Sequence, residues 1–180
     1  MKLQFWKKNN ERGAVLIAGL MILLILSLIG VTAMQNTTLE ERMANNFAQR
    51  DLAFQSAESA LRDAEAFLGG MSITALQGLN FTAAGTNGLF APADADDDPA
   101  WVNVDWFDDN GTVVYSAAAL EDVAAQPRYI VERLLPDRCE PPIDENLPKC
   151  QMVFRVTARG VGANISSIVL LQSTYLSAVF

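Results

Sequence analysis

The sequence predicts an α+β fold: one long N-terminal helix, half membrane-spanning and half amphipathic, packed on a small antiparallel β-sheet. Three observations carry that reading. Residues 14–34 are 21 consecutive uncharged, mostly apolar positions, about 30 Å of helix and so one bilayer core. Beyond them Leu39, Met43, Phe47, Phe54, Leu61 and Leu68 recur at helical spacing, with Ala57 and Ala64 filling intermediate places, the mark of an amphipathic helix. Past residue 110, short β-branched runs alternate with turns rich in Gly and Asn, as strands do.

The 180 residues suit one compact domain with an appendage. Histidine is absent, which excludes a Ser-His-Asp or Cys-His nucleophile and any His-ligated metal. There are 13 basic and 21 acidic residues, a net charge of −8. Lys2, Lys7, Lys8 and Arg12 against Glu11 make the first 13 residues basic and leave the body strongly acidic. Such a body repels phosphate, so no direct nucleic-acid partner is expected.

The leader and the apolar span are therefore of opposite character. Positive charge lies just before the span, and Glu40 and Glu41 follow it. The positive-inside rule puts residues 1–12 in the cytoplasm and the remainder outside. Three fates are open to the segment. It can stay whole as an anchor. It can be cut after Ala33 as a secretory signal, although its apolar run is longer than such signals use. Or it can be cut on the cytoplasmic side after Gly13, where a small flexible residue marks the passage from water to lipid.

From Thr37 the pattern turns amphipathic without a linker. Glu40, Arg42, Gln49, Asp51, Glu58, Arg62 and Asp63 lie mostly off the Leu/Phe stripe. No proline occurs before Pro92, and Gly69-Gly70 is a natural stop. One continuous helix over 14–68 follows, roughly 80 Å long at the standard rise. A short basic leader ending in glycine, an apolar half-helix, an amphipathic half-helix and a small C-terminal domain resemble a type IV pilin or pseudopilin. More narrowly, residues 30–68 resemble the N-terminal region of PilX-type minor pilins. Thr37-Thr38-Leu39-Glu40-Glu41-Arg42-Met43-Ala44 and Ala53-Phe54-Gln55-Ser56-Ala57-Glu58 carry most of that likeness. It covers the first 70 residues well and the rest by general layout.

The resemblance implies a prepilin leader at 1–13, cut by prepilin peptidase between Gly13 and Ala14, with methylation of the new Ala14 amine. It implies a filament core built from residues 14–34 beside neighbouring subunits. Pilins usually carry a glutamate five residues after the cut, which pairs with a neighbour's terminal amine; here that position is Ala18. Its loss spares a carboxylate in lipid and removes the contact to a subunit above, which implies a place at or near the pilus tip or a part in priming assembly. Ala14 also replaces the commoner phenylalanine or methionine.

The globular part is expected over 69–180. Residues 69–126 are rich in Gly, Ala, Asn and Asp with little periodicity. Asp94, Asp96, Asp97 and Asp98 crowd one loop. A calcium loop is the sharper reading, but Pro99 stands where an EF-hand needs glycine and Asp105 where it needs a bidentate glutamate, so Asp94–Asp98 reads as a solvated acidic loop with no metal. Trp101, Trp106 and Phe107 are expected to anchor it. Asp108-Asp109-Asn110-Gly111 turns into a strand at 112–115; further strands are expected at 128–135, 151–158 and 165–178, with a turn at 160–164. These form an antiparallel meander covered by the Leu/Phe stripe of the helix.

Cys139 and Cys150 bracket CEPPIDENLPKC. Outside the membrane, two cysteines so spaced read as a disulfide-closed loop, worth about 3 kcal/mol in the loop-entropy picture. The resemblance points the same way, and two cysteines without histidine make zinc unlikely to be held. Glu132, Asp137, Glu140 and Asp144 could be named as carboxylate pairs, but nothing sets two of them facing an apolar pocket. No catalytic residues and no cofactor are expected. The function expected is that of a minor pilin priming type IV pilus assembly and supporting twitching motility, adhesion or DNA uptake. Its partners would be other minor pilins, the major pilin, prepilin peptidase and the inner-membrane assembly platform. It would cross the inner membrane once and then enter the fibre on the cell surface. Alternatives are a K-like pseudopilin of a type II secretion system, disfavoured because only about 110 C-terminal residues are available, and a membrane-anchored adhesin.

Overall fold

A computed structural model of the chain describes residues 12–93, 96–134, 138–140 and 149–178, with the backbone alone at residues 12, 138–140, 149–150 and 178. Helix α1 runs from Arg12 to Gly69. By internal contacts the chain divides into two units, Met1–Asn46 and Phe47–Phe180. In the first, α1 is apolar on all sides from Ala14 to Met34, and the hydroxyls there are satisfied within the helix: Ser27 Oγ donates to the Leu24 carbonyl at 2.8 Å and Thr32 Oγ1 to that of Ile29 at 2.9 Å. That is the arrangement a helix needs where no water is at hand.

The second unit is the α+β body. After α1 come α2 (Ile73–Gln77), β1 (Leu89–Phe90), α3 (Ala100–Asn103), β2 (Val113–Val114), β3 (Arg128–Arg133), β4 (Arg138–Glu140), β5 (Lys149–Val161) and β6 (Ile168–Ala178). Ser72 caps α2, its hydroxyl accepting from the Ala75 amide. In the six-stranded sheet, β5 is central. Along one edge it pairs with β6 from Gln151↔Ala178 to Val161↔Ile168; along the other it pairs with β3 and then β4. The far edge of β3 takes β2 antiparallel and β1 parallel.

Three sequence expectations need correction. The sheet is mixed, not purely antiparallel: residues 91–127 form a connection long enough for β1 to return alongside β3 in parallel. A two-residue strand such as β1 carries no periodicity by which to foresee it, whereas β2 falls inside the strand expected at 112–115. β5 runs two residues into the expected turn, to Val161, and the reversal extends further, to where the Gly162 amide donates to the Ser167 carbonyl at 2.9 Å and Asn164 Oδ1 accepts from the Ser166 amide at 3.1 Å. The Leu/Phe stripe covers the sheet only in part. Its Ala57, Ala64 and Leu68 are buried there beside Ala53, Ser56 and Ala60, and Leu61 packs at the margin of the core, while Leu39, Met43, Phe47 and Phe54 are exposed.

The reason is close approach. A Cβ at Gly160 would lie 2.1 Å from the Ala53 carbonyl oxygen, so helix and strand touch backbone to backbone, and only small residues fit between them. Large side chains on this face would hold the two apart. Further along, Leu68, Tyr129, Val131, Met152, Phe154 and Val156 fill the core, with Phe81 stacked on Phe154 at 5.7 Å between ring centroids. Gly85 adopts φ +74 because the Phe90 ring occupies the space a side chain would need.

Candidate functional site

Among the described residues, the cavity at the acidic loop is lined by carboxylates without a nucleophile–base pair, and the candidate site is a set of surfaces on the two units. At the N-terminal end of α1, Gly13 has nothing within 4 Å of a built Cβ. Ala14 and Ala18 are exposed on the helix, and residues 1–11 of the expected leader lie outside the described residues. From Val15 to Met34 the large apolar side chains are exposed, Leu24 at 55% and Leu16 at 73% among them. Among the described residues nothing covers this apolar surface. Helix α1 is also the one described helix long and apolar enough to cross a membrane.

In the second unit, three long-range hydrogen bonds fix residues 49–65 of α1 to β5, β6 and their connection. Gln49 Oε1 accepts from the Asn164 amide at 3.1 Å, Ser56 Oγ from the Val161 amide at 3.3 Å, and Glu65 Oε1 from Ser173 Oγ at 2.8 Å. A carbonyl or hydroxyl in such a seam answers amides that the curved end of a sheet would otherwise leave unpaired. The contacts also fix direction, since the helix starts at the β5–β6 connection with Gln49 and reaches β6 further on with Glu65.

The acidic loop falls partly outside the described residues, at Asp94 and Ala95. Asp97 and Asp98 line a cavity of about 370 Å³ with Asp105, Asp108, Phe90 and Val104. Two of these carboxylates already serve the backbone: Asp105 Oδ1 accepts from the Phe107 amide at 2.9 Å and Asp108 Oδ1 from the Asn110 amide at 3.0 Å. Among the described residues no three acidic or cysteine side chains are grouped to hold a metal. Trp101 and Trp106 are half-buried, but Phe107 is exposed, its ring 5.0 Å from the Arg159 guanidinium carbon.

Two charged side chains tie this covering layer to the sheet. Glu132 is buried, its Oε1 accepting from the Ala100 amide at 2.9 Å and its Oε2 facing Arg155 Nη1 at 3.5 Å. Arg128 donates to Thr112 Oγ1 at 2.9 Å and to Asp109 at 2.6 Å. Burial, and then the Arg128 charge beside it, pulls the Arg159 guanidinium below its usual range. Glu132 was readable only as one acid among many; its pairing needs the strand register Glu132↔Arg155. Of the other carboxylates named from sequence, Asp137 and Asp144 lie outside the described residues, and Glu140 is described by its backbone, in β4.

β4, which the sequence did not reveal, sets Cys139 directly opposite Cys150 of β5 in an antiparallel ladder. Opposed positions have Cβ atoms about 4.5–5.5 Å apart and Cα atoms within the disulfide range. Residues 12–62 match the family model described as PilX N-terminal, and residues 73–177 match the one described as Type IV pilus assembly protein PilX C-term. No curated protein and no solved structure matches the chain.

Proposed function

The chain belongs to the PilX family of type IV pilus assembly proteins, and on that premise we propose that it is a minor pilin that primes pilus assembly and sits at or near the tip. The observation that carries this is the unpartnered apolar surface of α1 between Val15 and Met34. That surface is stable in lipid before assembly and against neighbouring helices afterwards. In this reading prepilin peptidase removes residues 1–13 and the Ala14 amine is methylated. Residues 1–12 face the cytoplasm and residues 69–180 the periplasm until the inner-membrane platform passes the subunit into the fibre. Ala18 offers no carboxylate to the amine of a subunit above, which supports a place where no such subunit exists. Neighbours would be other minor pilins and the major pilin, and the process served would be twitching motility, adhesion or DNA uptake. Cys139 and Cys150 would be joined, closing the loop between β4 and β5.

One measurement tests the reading: the intact mass of the chain from native membranes, with and without prepilin peptidase. Expected is a chain starting at methylated Ala14 only when the peptidase is present, lighter by two hydrogens before reduction than after. An uncut Met1 start in both strains would sink the filament reading and leave a membrane-anchored binding protein. A mass showing two free thiols would sink the disulfide alone.

A further inference from the structure

Strand β6 forms one edge of the sheet. Its ladder with β5 is unbroken over eleven residues, and among the described residues no strand pairs with its other side. The Gly162–Ser167 hydrogen bond sets the phase of that ladder. In an antiparallel pair, residues alternate between bonding inward and pointing their N–H and C=O away. Residues 169, 171, 173, 175 and 177 therefore bond to β5. Ile168, Leu170, Gln172, Thr174 and Leu176 direct their backbone groups to the free edge. The same five have exposed side chains, Ile168 at 43%, Leu170 at 41% and Leu176 at 54%.

Long free edges are normally blunted by lysine, proline, a bulge or brevity, because they template pairing with other chains. β6 has none of these. From Gly160 to Phe180 no residue carries a side-chain charge, in a chain whose net charge is −8, and no proline occurs there. We propose that β6 is an acceptor edge for a β-strand contributed by a different protein of the pilus. That strand would add to the sheet through main-chain hydrogen bonds at residues 168, 170, 172, 174 and 176. It would be uncharged over the paired stretch and apolar on the side that lies beside Ile168, Leu170 and Leu176, where it would cover those half-exposed side chains as a cross-strand neighbour.

A second copy of this chain fits less well. Residues 49–69 of α1 run in the same direction as β6, because Gln49 meets Asn164, Glu65 meets Ser173 and Gly69 meets the Tyr175 hydroxyl. Two copies paired antiparallel along β6 would run these helical stretches in opposite directions, whereas subunits drawn from one membrane enter with one polarity. Two copies paired in parallel about a two-fold axis would set N–H against N–H at each level. The choice of a different protein rests on the pilus-subunit reading, in which few copies gather at the tip; the free edge does not.

The test is peptide-resolved amide hydrogen exchange on the full-length chain in three settings: detergent, vesicles of the cell's own extracted lipids, and native membranes with the pilus proteins present. Expected is slowing of the β6 peptides by at least about tenfold in native membranes only, with the β3 and β5 peptides alike in all three. Thr174→Pro deletes one outward N–H and spares the β5 ladder, so it abolishes the slowing, whereas Thr174→Val retains the N–H and the slowing. Leu170→Lys, which keeps the strand intact but places a charge on the edge, also abolishes it. Equal exchange in all settings overturns the proposal. So does slowing in vesicles of the pure chain, which would mean a second copy or lipid. So does slowing that survives both Thr174→Pro and Leu170→Lys. The filament reading stands or falls separately, on the loss of residues 1–13.

Discussion

Glycine means different things in the two units of this chain. At Gly19 and Gly30, in the apolar part of α1, a built Cβ meets nothing within 4 Å; at Gly160, on β5, it would meet the Ala53 carbonyl oxygen at 2.1 Å and the Ala57 amide nitrogen at 2.3 Å. The large apolar side chains follow the same division. Those between Val15 and Met34 are more than half exposed, while Ile130, Val131, Met152, Phe154 and Val156 are wholly buried. The second unit buries a core of its own. In the first, the large apolar side chains are left exposed, as a surface that lipid or another subunit could cover. The comparison teaches that the same residue type serves stability in one unit and assembly in the other.

Paired substitutions can break or sharpen that division. The largest effect is expected for Gly160→Val. It should cost more than about 4 kcal/mol and leave residues 47–180 unable to fold, since two backbones must separate to admit it. Gly30→Val should leave urea unfolding of the full-length protein within about 0.5 kcal/mol of the parent. Destabilisation by Gly30→Val to the same degree would mean that the apolar half-helix packs on the body after all. Next comes Phe154→Ala, expected to lose about 3–5 kcal/mol by opening a cavity beneath Phe81. Its counterpart Leu24→Ala should leave the unfolding midpoint unchanged.

The smallest expected effect is a pH dependence confined to the body. Burial, and then the Asp63 carboxylate, pushes the Tyr129 hydroxyl up to about 12. Below about pH 10 the phenol is neutral in both states and adds no slope. Between there and about 12 the unfolded chain gives up its proton first, so stability falls as pH rises. Urea midpoints between pH 9 and 11.5 should decline for the parent and decline less for Tyr129→Phe. Parallel declines would assign the loss to other groups.

What could be read from the sequence was what depends on near neighbours in the chain. The apolar run 14–34, the absence of proline before Pro92 and the stop at Gly69-Gly70 sufficed for a helix observed over Arg12–Gly69. Helical propensity and periodicity act over a few residues, and one residue of frame is enough to express them. Strands β3, β5 and β6 were legible for the same reason, as alternating β-branched runs. The mixed character of the sheet was not, because β1 has only two residues and exists through its parallel pairing with β3; β2 lies within the strand expected at 112–115.

The candidate surfaces divide likewise. Gly13, Ala14 and Ala18 are positions in a linear pattern, and the sequence alone marks them. Which face of α1 meets the sheet is not linear information. Hydrophobicity favoured the large residues of the stripe, but of these only Leu68 is fully buried; backbone contact at Gly160 selected Ala53 and Ala57, because small residues permit an approach that large ones prevent. The burial of Glu132, the opposition of Cys139 to Cys150 and the unpaired edge of β6 each depend on strand register. Register joins residues far apart in the chain, and no local pattern encodes it. Composition and periodicity therefore determined the membrane helix and the α+β class. Tertiary structure decided which side of the helix is inside and which edge of the sheet is left open.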